Sequence, residues 1–392
     1  MDDAGLAQLL SPAGWALLSA LPPYDEQQAM ALSARLREKG VDPALVAAAL
    51  TQSRLRAKAH AKLGDFADGM LFTPAGLEQA TRLVVAAHHA RRYRDAGVTR
   101  VADLTCGLGA DAMAFAGVGL RVLAVDADET TAALATVNLR HFPEAEVRHG
   151  DGLSLDLRAE GADGVYADPA RRTSSGSRVF DPAAYAPPLD AVLALRAQIP
   201  ELGIKLGPGV PHSALPDDAH AQWVSVDGEV VELGLWFGRL APEGPGRSAL
   251  VLRADAAHVV TGDGTRPEVG PVGGYLYEPD GAVIRAGLVA TVAAEVRGRL
   301  VDRTIAYVTS DALHPLPYAT AYRVLDVLPF GLKRLRAYLR ERDVGRVTIK
   351  KRGTAVVPEQ LRRQLDLRGS RPATIVLTRV AGSQQVVVVE PV

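Results

Sequence analysis

The sequence predicts an α/β fold: a parallel sheet with crossover helices, a helical region before it and a small α+β region after it. Three observations predict this. From Arg100 onward, short β-rich runs alternate with helical stretches. The preceding hundred residues carry repeated helix start and stop signals. Two later β-rich runs flank Asp227-Gly228-Glu229, where Asp-Gly marks a hairpin.

In the first region, residues 1–97, Ser11-Pro12, Asp42-Pro43 and Thr73-Pro74 each pair a side-chain N-cap with proline at the first helical position. Gly40, Gly64 and Gly97 follow the predicted helices as C-caps. One helix is expected over Thr73–Ala96. It carries His88 and His89, which point about 100° apart on a helix and so make a poor metal pair. Arg54, Arg56, Lys58, His60 and Lys62 crowd one helix and read as a solvated face rather than a phosphate contact.

Residues 98–253 are expected to hold the sheet. Its strands are predicted at Val101–Leu104, Arg121–Val125, Glu146–His149, Gly164–Ala167 and Gly203–Leu206, with the hairpin at Gln222–Val226 and Val230–Phe237. Glycine- and proline-rich stretches at Ala241–Gly246 and Thr261–Gly274 place a domain boundary. Beyond it, strands are predicted at Arg346–Lys351 and Ala373–Arg379.

Bulk composition narrows the function classes. The 392 residues suit two or three domains, and 48% hydrophobic with 23% charged residues is ordinary for a globular chain. No run of about 18 uncharged apolar residues or leader-like segment is read, and Cys106 is the single cysteine, so the expectation is a soluble cytoplasmic protein without an intrachain disulfide. The net charge of −1 gives no global signal for nucleic acid. Locally, Leu332–Arg371 carries 13 Lys or Arg against 4 Asp or Glu, a footprint suited to phosphate.

The sharpest local feature is Val101-Ala102-Asp103-Leu104-Thr105-Cys106-Gly107-Leu108-Gly109, a strand that ends in a glycine loop opening a helix. Its Gly107-Leu108-Gly109-Ala110-Asp111-Ala112 also fits the G-x-G-x-x-A loop of a dinucleotide site. Asp126 ends the next strand, where a carboxylate can accept both hydroxyls of a ribose. Asp151 follows the third, placed to accept a hydrogen bond from an adenine amino group, and Asp168 follows the fourth. Acids after four successive strands converge on the crevice where open α/β sheets bind ligands.

The order and spacing of these acids resemble class I S-adenosylmethionine (SAM)-dependent methyltransferases over roughly Thr99–Arg239. The resemblance implies a Rossmann-like fold, with Asp103, Gly107 and Gly109 in the cofactor loop, Asp126 on the ribose and Asp151 on the adenine. Phe72-Thr73-Pro74-Ala75-Gly76-Leu77-Glu78-Gln79-Ala80, Asp168-Pro169-Ala170-Arg171-Arg172 and Lys205-Leu206-Gly207-Pro208-Gly209 are similar to bacterial methyltransferases with a THUMP-like C-terminal domain. That narrower resemblance implies a small ferredoxin-like α+β segment over 271–320 and a basic THUMP-like domain over 321–392. By analogy with THUMP domains proper, which bind RNA, it implies tRNA or rRNA as partner.

By resemblance Asp168-Pro169 stands where amino-group methyltransferases carry Asp/Asn-Pro-Pro-aromatic, so Asp168 and Pro169 would meet the acceptor. Ala170 and Arg171 replace the second proline and the aromatic, and Arg171 is suited to hold a phosphate or stack on a base. Cys106 reads as a small buried residue of the loop, which disfavours C5-pyrimidine chemistry and points to a nitrogen acceptor, with oxygen as the alternative. Lys205 ends the fifth strand, where it could face the acceptor pocket but reads first as structural or solvated, and no metal site is expected. Tyr275, Tyr277 and Tyr322 are read first as half-buried packing residues of strands, with stacking on unpaired bases as the alternative. Two rival functions follow from the same residues: an NAD-dependent oxidoreductase on the dinucleotide reading of the loop, and a non-catalytic SAM- or RNA-binding protein.

Overall fold

A computed structural model of the chain describes residues 3–170, 185–254, 256–262, 265 and 267–392. The chain divides into two compact units, one of residues 1–206, 210–214 and 235–242, the other of 207–209, 215–234 and 243–392.

The first unit begins with six helices, α1 (Asp3–Leu9), α2 (Pro12–Ala20), α3 (Ala29–Glu38), α4 (Pro43–Leu63), α5 (Pro74–Gln79) and α6 (Leu83–Asp95). The starts are set as the sequence predicts. Gly14 N–H donates to Ser11 Oγ at 3.1 Å, Ala44 N–H to Asp42 Oδ1 at 2.9 Å, and Gly76 N–H to Thr73 Oγ1 at 3.0 Å, each beside a proline at the first helical position. The single helix expected over Thr73–Ala96 is instead two, α5 and α6, broken at Ala80–Arg82. The break has a physical cause: Lys62 Nζ on α4 donates to the carbonyls of Leu77, Glu78 and Ala80, ending α5, and the Thr81 side chain turns inward. Of the basic residues on α4, Arg54, Lys58 and His60 are exposed, as expected of a solvated face, whereas Arg56 Nε donates to Met70 O at 2.9 Å and Lys62 caps α5.

Next come β1 (Arg100–Asp103), α7 (Ala110–Gly117), β2 (Arg121–Asp126), α8 (Glu129–Asn138), β3 (Ala145–His149), β4 (Gly164–Ala167), α9 (Leu189–Ala194) and β5 (Leu202–Leu206). These strands run parallel in the order β3-β2-β1-β4-β5, so all their carboxyl ends lie along one edge. The segment 235–242 returns beside β5, where Phe237 N–H donates to Leu202 O at 3.0 Å. This is the α/β, Rossmann-like fold that the strand pattern predicts.

Under the sheet, Tyr93 of α6 is fully buried, donates to Val165 O at 2.5 Å and packs edge-on against Phe115, Tyr166 and Trp236. Gly203 makes room for this cluster, since a Cβ there would stand 2.5 Å from the Tyr93 hydroxyl and 2.6 Å from the Trp236 ring. Gly203→Ala is therefore expected to destabilise the protein by about 1–3 kcal/mol, the usual cost of overpacking. Urea unfolding tests this: a lower midpoint at unchanged slope is predicted, and an unchanged midpoint would show that the cluster can yield.

In the second unit, β6 (His220–Val226) and β7 (Glu229–Trp236) form the predicted hairpin, with Asp227 at φ 49° and Gly228 at φ 86°. The last two residues of β7 belong to the first unit. β8 (Gly246–Arg253) pairs parallel to β6, and β9 (Ala256–Thr261) antiparallel to β8. The remaining elements are β10 (Tyr275–Pro279), α10 (Gly281–Ala286), α11 (Val289–Glu295), β11 (Arg299–Asp302), β12 (Ile305–Ser310), β13 (Ala319–Pro329), α12 (Leu332–Glu341), β14 (Val344–Lys351), α13 (Pro358–Leu365), β15 (Arg371–Val380) and β16 (Ser383–Pro391). Their strands form one sheet in the order β11-β12-β10-β13-β16-β15-β14. Segments 271–320 and 321–392 thus share a sheet, and β13 runs across the position that separates them.

Leu335 and Leu339 of α12 and Leu361 and Leu365 of α13 pack with Ile375, Val386 and Val388, which leaves Lys333, Arg334, Arg340, Arg362 and Arg363 outward, while Arg336 turns to Gln364 O of α13. Tyr277 and Tyr322 are buried and Tyr275 half-buried. Tyr277 and Tyr322 are packing residues, not stacking platforms. Among the described residues no helix is long and apolar enough to cross a membrane.

Candidate functional site

At the carboxyl edge of the first unit's sheet, the loop after β1 is hung between two neighbours. Leu104 N–H donates to Tyr166 O at 3.0 Å and Cys106 N–H to Val125 O at 2.9 Å. Gly107 at φ 55° and Gly109 at φ 85° then turn the chain into α7, a left-handed geometry that favours glycine at both positions. A Cβ on Gly107 would meet nothing within 4 Å, so the loop presents bare backbone to open space.

That space is a cavity of about 570 Å³, lined among others by Gly107, Asp126, Asp151, Asp168, Gly76 and Thr81. Asp126 at the end of β2 accepts from Gly107 N–H at 2.9 Å and from Asp128 N–H at 3.0 Å. Burial raises its carboxyl from the ordinary value against those two hydrogen bonds. Asp151 follows β3 and accepts from Leu153 N–H at 2.9 Å. Asp103 lies in the core beneath the loop, its Oδ2 without a hydrogen-bond partner, and burial, then the charge of Asp111, pushes its carboxyl well up.

Asp168 follows β4, and its N–H donates to Thr105 Oγ1 at 2.6 Å, tying it to the glycine loop. Pro169 comes next in the chain, and Arg171 lies outside the described residues. Of the residues singled out from the sequence, Gly107, Asp126, Asp151 and Asp168 line one cavity, whereas Asp103 and Gly109 shape the loop from behind.

Sequence reasoning missed a second set of residues. Lys205, read as structural or solvated, is hydrogen-bonded to Asp168 Oδ2, and its Nζ also donates to Thr81 Oγ1 at 2.9 Å. Thr81 donates to Asp111 Oδ2 at 2.6 Å, and His89 Nδ1 lies 2.8 Å from Asp111 Oδ1. Burial alone would raise the Asp111 carboxyl, but the His89 hydrogen bond, the charges of His89 and Lys205, and Thr81 together hold it below its ordinary value. The position of Lys205 at a strand's carboxyl end was the signal available; Thr81 offered none, because its role depends on the break between α5 and α6.

The cavity has a fixed cover. Gly76 of α5 approaches the glycine loop so closely that a Cβ would stand 2.9 Å from the Leu108 side chain, and Lys62 caps the other end of the helix. Lys62→Met is expected to lower the opening free energy of α5 by about 1–3 kcal/mol, the worth of charged hydrogen bonds. Hydrogen exchange of amides 77–80 measures it, and unchanged protection would mean α5 is held by packing alone.

Burial, then the neighbouring Asp103 and Asp126, pushes the Cys106 thiol well up, which suppresses its thiolate. His89 is a core residue at 3% exposure. Among the described residues no cluster of three or more His, Cys, Asp or Glu is arranged for a metal ion.

Comparison with known proteins identifies the family. Residues 319–391 match a family described as THUMP domain-like, and residues 2–59 a domain of unknown function. An uncharacterized S-adenosylmethionine-dependent methyltransferase of Mycobacterium tuberculosis, in strains CDC 1551 / Oshkosh and ATCC 25618 / H37Rv, is 37% identical over 341 residues, 84% of this chain and 92% of the relative. A crystal structure of a methyltransferase candidate from Porphyromonas gingivalis W83 superposes with a TM-score of 0.73 at 22% identity, covering 94% of this chain and 99% of that one. At that identity it speaks for the fold. The chain belongs to the SAM-dependent methyltransferases with a THUMP-like C-terminal domain, and SAM is its methyl donor.

Proposed function

We propose that this SAM-dependent methyltransferase acts on a base nitrogen of RNA, tRNA or rRNA, docked by its basic C-terminal region. The observation that carries the reading is the shared cavity: Asp126 and Asp151 line it together with Asp168. The residues fit the cofactor, because bare backbone at Gly107 offers the close approach a nucleoside needs, with two acids on neighbouring strand ends. Asp126 would hold the ribose hydroxyls and Asp151 the adenine amino group, with Gly107 and Gly109 shaping the loop and Asp103 supporting it from below.

Bound SAM supplies an electrophilic methyl group on a sulfonium. The chain's own task is then to hold an acceptor nitrogen in line and to exclude water. Asp168 would accept hydrogen bonds from that nitrogen, with Pro169 stiffening the turn and Arg171 meeting a phosphate or base. The support for RNA is the THUMP-like match at 319–391 and the outward basic faces of α12 and α13.

Transfer of labelled methyl from SAM to total RNA from a strain lacking this protein tests the proposal. Ribonuclease-sensitive incorporation is expected. Label in DNA, protein or small molecules alone would reject RNA as acceptor.

A further inference from the structure

The bonds around Lys205 form a directed chain. An ammonium only donates and an ionised carboxylate only accepts, so Lys205 gives to Asp168 and to Thr81, Thr81 gives to Asp111, and Asp111 also receives from His89. The chain joins β4, β5, α6, α7 and the turn between α5 and α6. It runs from the cavity wall into the core, where His89 packs against Tyr166 and Trp236.

Stability alone is a weak reason for this arrangement. The Lys205 and Asp168 side chains are only 11% and 28% exposed, and apolar residues of similar volume commonly stabilise a protein as well as such an ion pair. What the pair does provide is control of a carboxylate at the cavity wall. A cation in contact favours the ionised form, and a fixed partner sets its direction.

We infer that Lys205 is a positioning residue for methyl transfer: it holds Asp168 ionised and oriented, while Thr81 and Asp111 aim its ammonium. This rests on the reading of Asp168 as the group that meets the acceptor. It also narrows that acceptor. An ionised carboxylate accepts hydrogen bonds and gives none, so the nitrogen must carry N–H, as an exocyclic amino group does and an unprotonated ring nitrogen does not. In transfer the nitrogen lone pair forms the N–CH₃ bond, the S–CH₃ bond breaks with its electrons left on sulfur, and the N–H proton leaves through the Asp168 carboxylate to water.

Among the described residues, Asp103 on β1 bears on Asp168, and Asp111 on α7, itself bonded to His89 of α6, bears on Lys205. Removing the Lys205 charge takes away a cation in contact with Asp168, so protonation of Asp168 moves to higher pH and the acidic limb of transfer moves with it. Lys205→Met is expected to lower kcat roughly tenfold or more, with KM for SAM unchanged. Lys205→Arg should restore most of the loss, and Thr81→Val should show a smaller change in the same direction.

The test uses the full-length protein carrying ¹³C at aspartate Cγ, with the Asp168 signal identified by its loss in Asp168→Asn. Carboxyl NMR should show Asp168 titrating at higher pH in Lys205→Met than in wild type, and transfer to total RNA should show the matching shift of the acidic limb. Equal Asp168 titration in the two proteins, or an unmoved acidic limb in folded Lys205→Met, overturns the inference. If wild type labels no RNA, the proposed substrate fails, while the NMR comparison still decides whether Lys205 controls Asp168.

Discussion

Replacing Asp168 by alanine is expected to lower methyl transfer roughly 10²–10⁴-fold, the range typical of a positioned proton-handling group, while SAM affinity changes little. The split follows from where the side chain stands. Asp168 lines the cavity from the end of β4, bonded to Lys205, whereas Asp126 and Asp151 line it from the ends of β2 and β3. Single-turnover rates alongside calorimetric SAM binding separate the two effects. Undiminished turnover in Asp168→Ala would remove this carboxylate from the chemistry, and a parallel loss of SAM binding would make it a cofactor residue instead.

Asp126→Ala is expected to weaken SAM binding by about 1–3 kcal/mol through lost hydrogen bonds to the ribose. The effect should fall toward the upper end, because the same carboxylate accepts from Gly107 N–H and Asp128 N–H and so orders the glycine loop itself. Asp126→Asn retains one acceptor oxygen and should lose less. Calorimetry decides the matter, and unchanged affinity in the alanine variant would displace Asp126 from the cofactor site.

Much of this was legible in the sequence. The parallel strands were found to within a residue or two because each is a short β-rich run closed by an acid or a glycine, and the helix starts at Ser11, Asp42 and Thr73 are written in their caps. The gathering of Asp126, Asp151 and Asp168 was legible for the same reason: acids after successive parallel strands must meet at one edge. What escaped depends on contacts between distant residues. Thr81 meets Lys205 across 124 positions, and His89 meets Asp111 across 22, with no spacing rule to link them. The break between α5 and α6 escaped too, since its cause is Lys62 on another helix. β8 and β9 lie between two glycine- and proline-rich stretches whose local pattern is that of a boundary, which masks their strand pattern. The shared C-terminal sheet could not be read from patterns that report strands one at a time.

On the proposed function, the bare backbone at Gly107 and the acids after β2 and β3 would receive the nucleoside, with Asp168, paired with Lys205, on the wall of the same cavity. The basic helices α12 and α13 belong to the second unit, and on the proposed function they would bear on the choice of substrate.

The most direct measurement is a crystal structure of the protein with bound S-adenosylhomocysteine. The account predicts the ribose hydroxyls on Asp126, the adenine amino group at Asp151, the amino-acid portion along the Gly107–Gly109 loop and the sulfur facing Asp168. A nucleoside bound elsewhere, or one whose sulfur points away from Asp168, would contradict it.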